Sequence, residues 1–439
     1  MASKTIHIAL IGGGNVGSAV YEIVMGRLRD SEDDSSHQSQ SYSGLPSCII
    51  SKLCVRDPAK IRKFQIDQDL TEVVSDLSSV VGDVNIDIVV EVTDGGDEVK
   101  DAILECIKRG KKVVTSNTSL LAENMDAIIE AIDQRNNIFA FEAAVGCGIP
   151  IINSLQSCFT GDIIHEVSGI LNGPTNYMLG RIEKEGIDID EAYAEAQEMG
   201  YTTGDDDIEG IDARNKITIL AKLCFGASVA SECISCTGIA EINAVDFEYA
   251  KLLGCTIKFV ATGQRLSEYS EYDGDLSCYV GPKLVPLDHL FSSNKGTGNT
   301  IQINSENLGI SSFQGAGLGS FAAANAVVSD VYRLATGNVQ NAFPLRSSID
   351  VENDYSSEFY IRITFQDQLG IIRRVGELAE MNGCSICSIL QNPIKDKQQA
   401  DFVVTLEECL SSQVHQLCLD IGEEDFAHSV PIFMPMLSS

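Results

Sequence analysis

Positive charge is what this sequence has least of. Its 439 residues hold 31 lysines and arginines against 63 aspartates and glutamates, a formal net charge of −32. So acidic a surface repels phosphate backbones and anionic lipid headgroups, which excludes nucleic acid and membrane as expected partners. It leaves room for a local basic pocket that holds a phosphate. Long apolar runs are missing too. No stretch approaches the roughly 20 residues that a membrane-spanning helix requires. The first strand pattern starts at residue 6, which leaves no place for a signal peptide. The 14 cysteines are scattered rather than arranged as a framework, a usage expected of reduced thiols in a cytoplasmic protein. Two Cys-x-x-Cys pairs, Cys233/Cys236 and Cys384/Cys387, are of a kind that zinc uses. Each sits among apolar residues with no histidine close by in sequence, so packing is their expected role.

Apolar residues, by contrast, are plentiful at 44%, enough for substantial cores. At about 150 residues per domain the length corresponds to two to four domains. The N-terminal stretch "TIHIALIGGGNVGSAVYEIV" (5–24) passes from an apolar strand pattern through Gly12, Gly14 and Gly17 into a helical one. Such glycines allow a tight turn and a close backbone approach to a pyrophosphate seated at the helix N-terminus. Gly12, Gly14, Asn15, Val16 and Gly17 are therefore the expected dinucleotide loop. A Ser-rich loop (31–47) follows, then a second strand ending at Arg56-Asp57. An acid there favours the ribose hydroxyl of NAD, and a nearby cation the 2′-phosphate of NADP. Arg56, with Lys60, Arg62 and Lys63, tips the balance towards NADP. Beyond this point strands (86–96, 111–117, 138–145) alternate with helical patterns (97–110, 123–136). That order predicts a Rossmann-type parallel sheet covered by helices, with Thr93, Asp94, Ser116, Asn117 and Thr118 at its ligand-binding edge.

The α/β pattern of residues 1–150 gives way to a mixed α+β one over 151–311, expected to bind substrate and to dimerise. The glycine-rich turn holding Gly315 and Gly317 precedes an apolar helix, and 312–345 read as a return to the first domain. After a linker (346–357), residues 358–439 follow a βαββαβ order, the size and order of a small ferredoxin-like domain.

The stretch "TTGDDDIEGIDARNK" (202–216) is the most acidic, and it ends on a lysine. Asp212 and Lys216 lie four residues apart and share a helix face, with Asp207 five residues ahead of Asp212. A lysine held among carboxylates can exchange a proton. Spacing alone, however, favours a surface ion pair at an acidic helix start.

Several ordered motifs change that weighting. They are the loop at 12–17, "VVTSN" (113–117), "FEAAVGCGIPII" (141–152), "GILNGPTNYML" (169–179), "EAQEMGY" (195–201), "DIEGIDARNK" (207–216) and "AVVSDV" (326–331). With them the chain resembles homoserine dehydrogenase carrying a C-terminal ACT domain. The resemblance implies NAD(P)-dependent interconversion of L-homoserine and L-aspartate 4-semialdehyde, in threonine and methionine biosynthesis, by a homodimer or homotetramer. It makes Lys216 the proton donor and Asp212 its catalytic neighbour. It also places Asp207, Tyr201, Asn172, Gly173 and Thr175 at the substrate. It implies a sodium ion held by Glu142 and the carbonyls of Val145, Cys147 and Ile149, and an amino-acid effector, such as threonine, at the ACT domain.

The sequence departs from the family pattern at several of these places. Thr118 stands where the family has lysine, Pro174 where it has threonine, and Thr203 where a glutamate is expected to hold the substrate amine. Ala322-Ala323 replaces a Pro-Thr pair, and Asp367-Gln368-Leu369-Gly370 lacks the usual proline of the ACT turn. Truncating a buried charge partner costs about 2–5 kcal/mol, so the changes admit a second reading: an attenuated relative that senses nucleotide or amino acid.

Overall fold

The computed structural model describes residues 5–32, 45–62, 64–132, 138–202, 204–266, 276–338, 341–345, 347, 351–394 and 396–437. Lys63, Thr203, most of the Ser-rich loop and part of the linker lie outside them.

Strand and helix alternate through the first third: β1 (Ile6–Ile11), α1 (Asn15–Glu32), β2 (Cys48–Cys54), β3 (Glu72–Val74), α2 (Leu77–Val81), β4 (Ile88–Glu91), α3 (Asp97–Lys108), β5 (Lys112–Thr115), α4 (Thr118–Ile132), β6 (Phe139–Ala140) and α5 (Ile151–Ser157). The strands are apolar because the sheet is parallel and buried on both faces. Its order is β3-β2-β1-β4-β5-β6, with every pairing parallel. In this doubly wound order the strand sequence reverses between β1 and β4, which is where such sheets take ligands.

Two boundaries differ from the sequence reading. A helical segment from Thr118 precedes the helix expected at 123: the Asn117 side chain accepts the Leu120 N–H at 2.9 Å and caps it, and Asn124 (φ −125°) breaks the helical backbone between the two. The strand expected over 138–145 ends at Ala140, and Glu142–Ala144 form a 3-10 turn instead. There the Glu142 N–H turns to the Asp330 carboxylate at 2.7 Å rather than to a sheet neighbour.

The chain continues through β7 (Ile164–Ile170), α6 (Gly173–Glu185), α7 (Ile189–Glu198), α8 (Asp206–Glu209), α9 (Ile211–Phe225), β8 (Ser235–Cys236), α10 (Ala244–Leu252), β9 (Cys255–Arg265), β10 (Leu276–Pro286), β11 (Gly298–Ser305), β12 (Gly309–Ala316) and α11 (Ser320–Thr336). It ends with β13 (Ser356–Phe365), α12 (Ile371–Met381), β14 (Ile386–Gln391), β15 (Ala400–Leu410), α13 (Ser411–Gly422) and β16 (Ile432–Met436).

Two compact units divide it. One comprises 1–167, 215–231 and 301–349, the other 168–214, 232–300 and 350–439. In the first, α11 packs with α1 over the parallel sheet, around Leu10, Val20, Val24, Val90, Val327 and Val331. In the second, a mixed sheet includes the run β9-β10-β16-β13-β15-β14. Its last four strands with α12 and α13 form a βαββαβ module whose order, numbered within the module, is 4-1-3-2, that of a ferredoxin-like fold. Phe359, Ile361 and Ile363 of β13 enter the core beneath the two helices. Strand alternation turns Tyr360 and Arg362 to the opposite face. There both donate to the buried carboxylate of Asp246 on α10, at 2.9 and 2.8 Å. Among the described residues no helix is long and apolar enough to cross a membrane.

Candidate active site

In the first unit a cleft of 1520 Å³ opens at the carboxyl ends of β1, β2 and β4, lined in part by Gly12, Gly14, Asn15, Val16, Arg56 and Thr93. Each glycine of the loop has its own reason. Gly12 has φ 109°, and a Cβ there would lie 2.8 Å from the Val92 carbonyl oxygen. A Cβ on Gly17 would collide with the Gly12 carbonyl, so this glycine lets α1 pack close to the turn. Gly14 has nothing within 4 Å, which leaves the start of α1 open to a ligand. These are the three roles a dinucleotide loop asks of its glycines.

Arg56 and Lys60 are exposed at the cleft. Arg62 is held inward. Its guanidinium donates to the carbonyls of Asp57 and Lys60 at 2.7 and 2.8 Å, and its Nε would lie 3.0 Å from a Cβ placed on Gly13. Asp57 spends one oxygen on its own turn, accepting the Ala59 N–H at 2.9 Å. At the next strand ends, Ser116 donates its N–H to the Glu91 carbonyl at 3.1 Å, and the Asn117 amide donates to the Thr93 carbonyl at 3.1 Å. Thr118 donates its hydroxyl to the Ala144 carbonyl at 2.7 Å.

Glu142 is buried, and its two oxygens accept the N–H groups of Ile152 and Asn153 at 2.8 and 2.9 Å. Burial, with the Asp330 carboxylate close by, pushes its carboxyl up to about 7. The following turn passes through left-handed backbone at Gly146 (φ 75°) and at Cys147 (φ 59°), a conformation that costs a non-glycine residue energy. Burial pushes the Cys147 thiol up, and the charge of Lys216 pulls against it. A Cβ on Gly315, in β12, would lie 2.8 Å from Ile149 Cγ1, while Gly317 is buried in the turn before α11. A Cβ on Gly148 would stand 3.2 Å from that of Ala322, so the small side chain in the altered Ala322-Ala323 pair packs at this turn.

The second unit gathers three of the expected site residues, Asp207, Asp212 and Thr175, around the side chain of a fourth, Asn172. The Asn172 amide nitrogen donates to Asp207 Oδ1 at 2.6 Å and to Asp212 Oδ2 at 2.8 Å. Its oxygen accepts the Thr175 N–H at 2.8 Å and the Thr175 hydroxyl at 2.6 Å, which caps α6. Gly173 and Pro174 fill the first turn of α6, where a proline's missing N–H costs nothing. Tyr201 packs edge-on against Tyr177 at 5.2 Å between ring centres, beside the Arg181–Glu195 ion pair rather than in the Asn172 cluster. Asp212 stands in the first turn of α9, and Lys216 one turn further along that helix.

A model of the homoserine dehydrogenase family matches residues 150–332, and a model of the homoserine dehydrogenase NAD binding domain matches 12–142. A homoserine dehydrogenase of Synechocystis is 33% identical over 99% of this chain and all of its own length. The chain belongs to the homoserine dehydrogenase family. A homoserine dehydrogenase of Bacillus subtilis is 30% identical, with 97% of each chain covered. Among solved structures, the homoserine dehydrogenase of Thiobacillus denitrificans superposes with a TM-score of 0.86 at 26% identity over 99% of both chains. That of S. aureus at pH 7.0 gives 0.75 at 25% identity over 99% of this chain and 100% of the other.

As in any homoserine dehydrogenase, the chemistry is that of an oxidoreductase with an NAD(P)-binding domain. The NAD-binding match spans the glycine loop, the β2 turn and the ends of β4 and β5, and the second match spans Asn172 to Lys216. Sequence reasoning had no part for Glu91. Its only trace was one acid in the otherwise apolar run "IVVEV" (88–92). Among the described residues no group of three or more His, Cys, Asp and Glu side chains is placed to hold a metal, and Cys233, Cys236, Cys384 and Cys387 are free thiols.

Proposed function

We propose that this chain interconverts L-homoserine and L-aspartate 4-semialdehyde with NADP as its preferred cofactor, and that Lys216 exchanges the proton with the substrate oxygen. When bound, the cofactor supplies or accepts the hydride. The observation that carries the reading is the Asn172 amide bridging Asp207 and Asp212. Two carboxylates held side by side suit the ammonium group of an amino-acid substrate. The helix that holds Asp212 then presents Lys216 one turn on, and a positioned acid neutralises an alkoxide as it forms. Gly173 and Thr175 belong to the same substrate-binding set beside Asn172, and Tyr201, packed on Tyr177, would join it from outside that cluster. The test is turnover at 340 nm with homoserine and NADP or NAD. No turnover in protein that still binds cofactor by calorimetry would favour the attenuated sensor, and a Thr118→Lys variant then shows whether the missing lysine is the cause.

NADP preference rests on the cations at the end of β2. Arg56→Ser should lower the NADP-over-NAD ratio of kcat/KM about tenfold, the loss of one charge-assisted contact to a phosphate. Steady-state kinetics with both cofactors measure it, and an equal loss with both would remove Arg56 from that role.

Glu142 and the carbonyls of Val145, Cys147 and Ile149 would offer a cation oxygen donors alone, the kind that a hard ion such as sodium takes. Such a charge would offset the repulsion that Glu142 meets from Asp330.

The module from β13 to β16 is an ACT-type domain in this reading, paired in a homodimer or homotetramer and open to an amino-acid effector. L-Threonine at millimolar concentration should slow turnover, and an unchanged rate would leave the module a dimerisation element. A cytoplasmic location goes with these proposals.

A further inference from the structure

Glu91, the last residue of β4, is fully buried at the end of the sheet that faces the cofactor cleft. Its Oε1 accepts the Thr93 N–H at 2.7 Å and the Thr93 hydroxyl at 2.6 Å, and its Oε2 accepts the Thr115 hydroxyl at 2.6 Å. Both hydroxyls are oriented by what they accept in turn. Thr93 Oγ1 takes the Gly95 N–H at 3.1 Å, and Thr115 Oγ1 takes the Asn117 N–H at 3.0 Å. Each thus has its own proton to give to Glu91. Three donors converge on it, a pattern that favours the carboxylate, and none of the three comes from a cation. Burial raises its carboxyl above the usual range, and those donors offset only part of that rise. A buried charge without a cation is costly, and here the cost falls beside a ligand site. Thr93 and Gly95 both line the cleft, and Gly95 adopts φ 85° in the turn that Thr93 Oγ1 ties down.

In this strand order the adenosine half of a dinucleotide lies towards β2, so the nicotinamide half crosses the reversal point towards β4. We propose that Glu91 is a positioning residue of the cofactor site: through Thr93 it shapes the 92–96 turn, and its buried negative charge favours the oxidised, cationic nicotinamide ring over the reduced, neutral one. The proposal rests on the NAD(P) reading of the cleft.

The experiment measures Kd for NADP⁺ and for NADPH by calorimetry in the wild type, Glu91→Gln and Thr115→Val. Glu91→Gln should lower the ratio Kd(NADPH)/Kd(NADP⁺) about tenfold, as expected when a nearby charge is removed from a poorly screened site. Thr115→Val keeps the charge, so it should weaken both forms alike and leave the ratio within about twofold. A wild-type ratio in folded Glu91→Gln, or a fall in Thr115→Val as large as that in Glu91→Gln, overturns the proposal. Where Glu91→Gln does not fold, Glu91→Asp serves. It keeps the charge on a shorter arm, so both affinities should drop at an unchanged ratio, and a tenfold fall in the ratio overturns the proposal. A wild type that binds neither form would instead overturn the cofactor reading itself.

Discussion

Lys216→Met should lower kcat for homoserine oxidation by about 10²–10⁴-fold, the span that a positioned general acid or base contributes. Cofactor affinity should stay at its wild-type value. Methionine is a suitable replacement because it has nearly the reach of lysine and a comparable helix propensity, so α9 keeps its form while the exchangeable proton is lost. Lys216 stands one turn beyond Asp212, and Asp212 is itself fixed by Asn172. The loss should therefore fall on kcat, since the carboxylates proposed to hold the substrate remain. Steady-state rates at 340 nm give kcat and KM, and a fluorescence titration gives the cofactor Kd. A loss of less than about tenfold would take the proton-transfer role away from Lys216.

The second large effect is expected at Asn172, whose side chain does two separable things. Its oxygen caps α6 through Thr175, and its nitrogen bridges Asp207 and Asp212. Asn172→Ala removes both, costing about 0.5–2 kcal/mol of stability for the cap alone. It also leaves two carboxylates side by side without their shared donor, and a rise of about 10–100-fold in KM for homoserine is expected from losing a hydrogen bond to charged groups. Asn172→Ser divides the two functions. Serine caps a helix about as well as asparagine but is too short to span both carboxylates. The serine variant should melt close to the wild type and still show the raised KM. Thermal unfolding followed by circular dichroism, beside the kinetics, measures both. If the serine variant recovers KM as well as stability, the cap alone mattered and the bridge did not.

The sequence by itself determined the features whose physics is local. Gly12 needs left-handed backbone and Gly14 an open face, and both fall within one short loop. The alternation of apolar strands with helical patterns was enough to expect the parallel sheet that β1 to β6 form. Asp212 and Lys216 share a helix face because 3.6 residues make a turn, and that held whatever surrounded them. The βαββαβ order of the last 80 or so residues was legible for the same reason, each element carrying its own period.

Tertiary structure decided what distant residues do to one another. Asn172 meets Asp207 and Asp212 across 35 and 40 residues, and no periodicity marks such a pairing. The early end of β6 follows from Glu142 turning its N–H to Asp330, 188 residues away. Arg62 and Arg56 look alike as charges near the end of a strand, yet one is pinned over the glycine loop and the other is exposed. Glu91 is one acid in an apolar strand until folding brings the hydroxyl of Thr115 to it across 24 residues. A side chain's local pattern sets the element it belongs to, but its hydrogen-bond partners and its distance from water are set by whichever segments the fold brings alongside. The acidic stretch before Lys216, a candidate site by its motifs, gained its geometry on that account: a single asparagine from another helix cap holds two of its carboxylates together.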